Sequence, residues 1–177
     1  MIRKDVVFFD IETDGKRTVD IGAVTSDDRI FHSARKDEFV KFLSGASFAV
    51  GHNIFAHDLR FLESVFEHTT VTQFIDTLMF SPLLFPSRPY HKLIKDYKLD
   101  TDEVNNPVND SKLSKEVFDS EVAAFSALDY TLKSIYYTLL NKQKEFKDFF
   151  VYLNFDDACK NLVLEVKNYF KNKLCEN

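Results

Sequence analysis

Residues 6–15 read Val-Val-Phe-Phe-Asp-Ile-Glu-Thr-Asp-Gly: four β-branched or aromatic residues, two carboxylates one residue apart, then a turn cluster. The run Val6–Phe9 predicts a buried central strand that continues through Asp10-Ile11-Glu12 and ends at Thr13-Asp14-Gly15. Side chains alternate along a strand, so Asp10 and Glu12 share one face. Two adjacent anions repel and lose hydration there, and a hard divalent cation with oxygen ligands is the economical way to neutralise them. Without a cation, the same pair would cap a solvated strand end.

Outward from this strand, Thr18–Thr25 predicts a second strand, and Asp27-Asp28 precedes a short third one over Arg29–His32. Short connections favour an antiparallel meander. Phe39, Val40, Phe42 and Leu43 have helical spacing between Lys36 and Ser44. Phe48–Gly51 predicts a buried strand leading into His52–Phe66, where Phe55, Leu59, Leu62 and Phe66 recur every three or four residues. Ile75–Phe80 is an ambiguous apolar run, helical if Asp76 caps it, and Pro82, Pro86 and Pro89 predict a long irregular loop. Helices are expected over His91–Tyr97, Asp110–Phe118 and Ser120–Leu140, the last carrying Val122, Phe125, Leu128, Leu132, Ile135 and Leu139 on one stripe. From Phe146 a further helical stripe shows little obvious integration with the core. The expected architecture is α/β, a mixed central sheet flanked by helices over residues 1–140, with a helical extension or linker over 141–177.

Composition bounds the function. The 177 residues are 45% hydrophobic and 29% charged, with four Gly and four Pro, as in an ordinary single domain. Cys159 and Cys175 are too few for a disulfide framework and lack zinc-ligand spacing, so a reducing, cytoplasmic setting is expected. Asp5, Asp10 and Glu12 interrupt the N-terminal apolar run, which excludes a signal peptide or spanning helix there and argues against a membrane partner. A formal charge of −5 argues against holding nucleic acid by backbone neutralisation alone. It leaves open a nucleic-acid enzyme whose bound cations supply the positive charge.

Two further segments join the first. GHNIFAHDLRFL (residues 51–62) places Asp58 near a helix start behind His52 and Asn53, and NNPVNDSKL (residues 105–113) contains Asp110. Taken alone, Asp58 is an ordinary first-turn acid favoured by the helix dipole. Together with FFDIETDG, these segments resemble the DEDD (DnaQ-like, RNase T-like) superfamily of 3′–5′ exonucleases over roughly residues 5–140. The intervening FIDTLMFSPLL and HKLIKDYKL look similar too. Within it, the run from PLLFPSRPYHKLIKDYKL through EVAAFSALDYTLKSIYYTLL is similar to the N-terminal exonuclease-like domain of some bacterial RecQ-type helicases.

The resemblance implies a ribonuclease H-like fold and Asp10, Glu12, Asp58 and Asp110 as metal-binding carboxylates. Two Mg²⁺ or Mn²⁺ ions about 4 Å apart would clamp the scissile phosphate. Asp10 would bridge them, and Glu12 would also orient the water or the terminal 3′ hydroxyl. Thr13 would lie beside the terminal nucleotide, and Asn53 would fix the loop presenting Asp58. The DEDDh branch carries a general-base histidine five positions before its last aspartate, where this chain has Asn105. An amide cannot accept the water's proton, and base catalysis is worth typically 10²–10⁴ in rate. The other branch uses a tyrosine four positions before an aspartate, and here Phe125 precedes Asp129 at that spacing. Asp110 is preferred over Asp129 as fourth ligand, and His57 and His91 are the substitute bases at hand.

Between residues 88 and 98, Arg88, Lys92, Lys95 and Lys98 outnumber Asp96, with Tyr90, His91 and Tyr97 interleaved. Such a segment can follow a single strand's phosphates and stack its bases, which makes Arg88, His91 and Lys92 candidate substrate contacts. It also fits a solvated helix face beside a loop. The leading expectation is a metal-dependent exonuclease acting on single-stranded DNA or RNA 3′ ends, associated with a helicase region in the same or another chain. The alternative is a catalytically weakened module that binds 3′ ends or docks on a helicase. A different ribonuclease H-like activity, an endonuclease or nucleotide phosphohydrolase, is the third class.

Overall fold

A computed structural model describes residues 5–93 and 106–171 of the chain. Five strands, β1 (Val6–Thr13), β2 (Thr18–Thr25), β3 (Ile30–His32), β4 (Phe48–Gly51) and β5 (Gln73–Asp76), form one mixed sheet in the order β3-β2-β1-β4-β5. The first three make the antiparallel meander, and β4 and β5 add in parallel on the other side of β1. Helices α1 (Lys36–Phe42), α2 (Leu59–Phe66), α3 (Thr77–Leu84), α4 (Pro107–Ala127), α5 (Tyr130–Leu140), α6 (Lys147–Leu153) and α7 (Leu162–Phe170) flank it. None is long and apolar enough to cross a membrane, among the described residues.

With neighbours on both sides and helices on both faces, β1 is buried all round, which accounts for the unbroken VVFF run. Its odd residues, Val7, Phe9 and Ile11, join Ile21, Phe39, Leu62 and Phe66 in one core beneath α1 and α2. Val6 and Phe8 join Val24, Val50, Phe80, Phe118 and Phe149 in a second core under α3, α4 and α6.

Several element boundaries differ from the sequence expectation. The helix expected over His52–Phe66 begins only at Leu59, because Asn53 is left-handed (φ 67°) and the buried Asp76 carboxylate binds the N–H groups of Asn53 (2.7 Å) and Phe55 (3.1 Å). The run Ile75–Phe80 divides at Asp76, which ends β5 and caps α3 through the Leu78 N–H (3.0 Å), while Pro82 lies inside α3 instead of in the loop. Helix α4 runs unbroken from Pro107 to Ala127, and the break falls at Leu128–Asp129, where Asp129 caps α5. His91 to Leu93 are not helical, and the rest of the helix expected through Tyr97 lies outside the described residues.

The stripe after Phe146 is packed into the molecule. Phe149 and Phe150 are buried, Phe149 stacks on Phe80 at 4.1 Å between ring centres, and Asp148 accepts the Phe74 N–H of edge strand β5 at 2.9 Å. Helix α7, which has no buried residue, lies against α5.

Candidate metal centre

On the face of β1 that looks toward α4, the row Val6, Phe8, Asp10, Glu12 passes from core to half-buried acids. Helix α4 presents a matching row, Asp110, Ser114, Phe118, Glu121 and Phe125, all buried. Phe118 meets Phe8 at 5.6 Å between ring centres. Near the helix start, Asp110 comes onto the two acids of β1: ligand oxygens of Asp10, Glu12 and Asp110 lie within 4.8 Å of one another.

What permits this approach is Gly22, opposite Asp10 in the β1–β2 register. A Cβ on Gly22 would collide with the backbone of Pro107 and Val108, so the helix start sits directly on the glycine. A lone glycine within a strand signals a close backbone approach, and in TVDIGAVT that signal is legible. Ser111 Oγ lies 2.9 Å from the Gly22 carbonyl oxygen and 2.6 Å from that of Pro107, with one proton to give. Asn106 caps the helix through the Val108 N–H (2.9 Å), and Pro107 follows at the first helical position, where its missing N–H costs nothing.

Asp58 approaches the same strand from the other side. Its Oδ1 accepts the N–H of Ile11, between the two acids, at 3.1 Å, and Oδ2 lies 3.5 Å from His57 Nδ1. Burial pushes its carboxyl up to about 6, against the opposing pull of His57 and the backbone donors. Asp58 therefore touches the segment carrying the pair without joining the three-acid grouping. Asp129 is exposed, binds the Thr131 N–H at 2.8 Å and is no part of that grouping, while Phe125 is buried in the core. Thr13 is half-buried at the register shift closing β1.

The loop of residues 52–58 is organised by Asp76, which the sequence reading treats only as a helix cap. Besides its contacts with Asn53 and Phe55, this fully buried carboxyl is pushed above its ordinary value by desolvation, which the N–H donors offset in part. Asn53 also accepts the His57 N–H (3.2 Å), fixing the turn before Asp58. The His57 ring is partly exposed and packs on Phe61 at 5.5 Å. His52 Nδ1 pairs with Thr77 Oγ1 at 2.8 Å, its Nε2 is buried without a partner, and burial pushes the imidazole down to about 4. His91 Nδ1 pairs with Ser81 Oγ at 2.9 Å. Asn105 lies outside the described residues. Arg88, His91 and Lys92 share a cleft of about 260 Å³ with Leu113, which is one turn of α4 beyond Asp110.

An all-carboxylate donor set suits a hard cation such as Mg²⁺ or Mn²⁺. No family model, curated protein or solved structure matches this chain.

Proposed function

We propose that the chain is a divalent-metal-dependent 3′–5′ exonuclease of the DEDD type on a ribonuclease H-like fold, releasing nucleotide monophosphates from single-stranded DNA or RNA. One observation carries the reading: acids a hundred residues apart, Asp10 and Glu12 on a central strand and Asp110 on a helix, converge within 4.8 Å. Convergent carboxylate oxygens from two elements are the donor geometry that a hard divalent cation takes. The meander followed by two parallel strands, with helices on both faces, is compatible with the implied fold.

In this reading Asp10, Glu12 and Asp110 hold the cations, which when bound would polarise the phosphate and acidify the attacking water. Asp58 braces the strand at Ile11 and stands beside the grouping as the fourth acid. A second reading is favoured by Asn105, an amide where the resemblance places the base: a module that binds 3′ ends or docks on a RecQ-type helicase region with weakened hydrolysis. His57, its Nδ1 3.5 Å from Asp58 Oδ2, is the substitute base in this reading.

Degradation of 3′-labelled and 5′-labelled single strands, DNA and RNA in parallel, with Mg²⁺, Mn²⁺ or EDTA, tests both. Metal-dependent shortening from the 3′ end that Asp10→Asn abolishes is the expected result. An inert native chain that Asn105→His activates would favour the weakened module. Inertness of both would refute the nuclease reading.

A further inference from the structure

Three of the described arginines, Arg17, Arg29 and Arg35, are paired with carboxylates. Arg88, like Arg60, makes no ion pair among the described residues, and its guanidinium lies over the Phe85 ring at 3.9 Å. Stacking of this kind orients the planar donor fork without consuming its hydrogen-bonding capacity. Around it, in the 260 Å³ cleft, stand Tyr90, His91 and Lys92, with Leu113 and Val117 of α4 beneath. Tyr90 is 78% exposed, an aromatic face with no cover. His91 is held by Ser81 through Nδ1, which turns its other nitrogen away from that contact.

Among the described residues, two acids stand near this charge. Glu116 lines the cleft, one carboxylate against Arg88 and Lys92. Glu121 is fully buried with neither oxygen hydrogen-bonded, and burial, helped by Asp76 and opposed by Arg88, pushes its carboxyl up to about 9. Neutral at pH 7, Glu121 does not offset the Arg88 charge.

We propose that this cleft is a subsite for single-stranded nucleic acid, in which Arg88 and Lys92 grip a phosphodiester and Tyr90 stacks on a base. It deepens the exonuclease reading, on which its place in the substrate path rests: it begins one helical turn beyond Asp110 and would seat the strand upstream of the reacting end. The chemistry required is a phosphate beside a flat ring, both accessible, as a single strand offers and a duplex interior does not.

The test is binding in EDTA, where hydrolysis cannot intervene. Fluorescence anisotropy of a labelled oligothymidine is measured with the full chain and with Arg88→Ala, Tyr90→Ala and a charge-matched control, Arg35→Ala, on the opposite face of the sheet. Arg88→Ala should weaken binding about tenfold and reduce the salt dependence by about one released counterion. Tyr90→Ala should weaken it roughly fivefold or more. Arg35→Ala should bind like the native chain. Because Arg88 and Tyr90 are exposed, these variants fold. If native binding is absent at low salt, if Arg88→Ala and Arg35→Ala behave alike, or if inorganic phosphate displaces the strand as well as unlabelled strand does, the subsite proposal fails. If Arg88→Ala loses binding while no variant or native chain hydrolyses anything with Mn²⁺, the subsite stands and the exonuclease reading alone falls.

Discussion

The two faces of β1 start alike and end differently. Toward α1 and α2 the row Val7, Phe9, Ile11 stays apolar to its end, and toward α4 the row Val6, Phe8 gives way to Asp10 and Glu12. Helix α4 repeats the pattern in reverse, with Phe118 and Phe125 over the apolar half and Asp110 over the acids. One strand thus commits one face wholly to cohesion and divides the other between cohesion and charge.

This division is open to direct attack. The largest effect belongs to the apolar face: Phe9→Ala, a fully buried ring edge-on to Phe66 at 5.6 Å, should cost about 3–5 kcal/mol, read from the denaturant midpoint. Next, Gly22→Ala should displace the start of α4, costing about 1–3 kcal/mol by overpacking. Its sharper signature is Mn²⁺ affinity, expected to fall 10- to 100-fold as Asp110 moves off the β1 acids, by calorimetric titration. If affinity survives, Gly22 does not position the site.

Glu121→Gln probes the polar half of the α4 row. Its folded carboxyl holds a proton to about pH 9, whereas the unfolded group releases it near 4.5, so its stability contribution is intact below 4.5 and is lost as pH rises toward 9. The glutamine variant should therefore gain steadily on the native chain as pH rises from 4.5 toward 9 in parallel melts. A pH-independent difference would mean that Glu121 does not titrate this way. Smallest in stability is Asp10→Asn, a near-isosteric change at a half-buried position, within about 1 kcal/mol of native without metal. It should nonetheless abolish the Mn²⁺-dependent rise in melting temperature, which for the native chain corresponds to about 2.7 kcal/mol at a hundredfold excess over Kd.

The strand VVFFDIET and the shared face of its acids were legible because both follow from period-two alternation. The placement of Asp110 could be anticipated only through the resemblance, since nothing local distinguishes Asp110 from Asp129. Other features depend on contacts distant in sequence. Strand β5 has four residues and takes its register from β4, with an edge N–H satisfied by Asp148, 74 positions away. The turns of residues 52–58 depend on Asp76. The cohesion of α6 depends on Phe80, which a helical stripe read in isolation does not name.

The grip of Asp148 on Phe74 has a consequence for the chain's behaviour among copies of itself. Strand β5 is an open rim of the sheet, and a bare rim recruits strands from other molecules. Cutting the chain after Leu140 would unseat α6, uncover Phe80 and leave that rim available for intermolecular stacking. Helix α6 thus shields the rim of the sheet as well as enlarging its core.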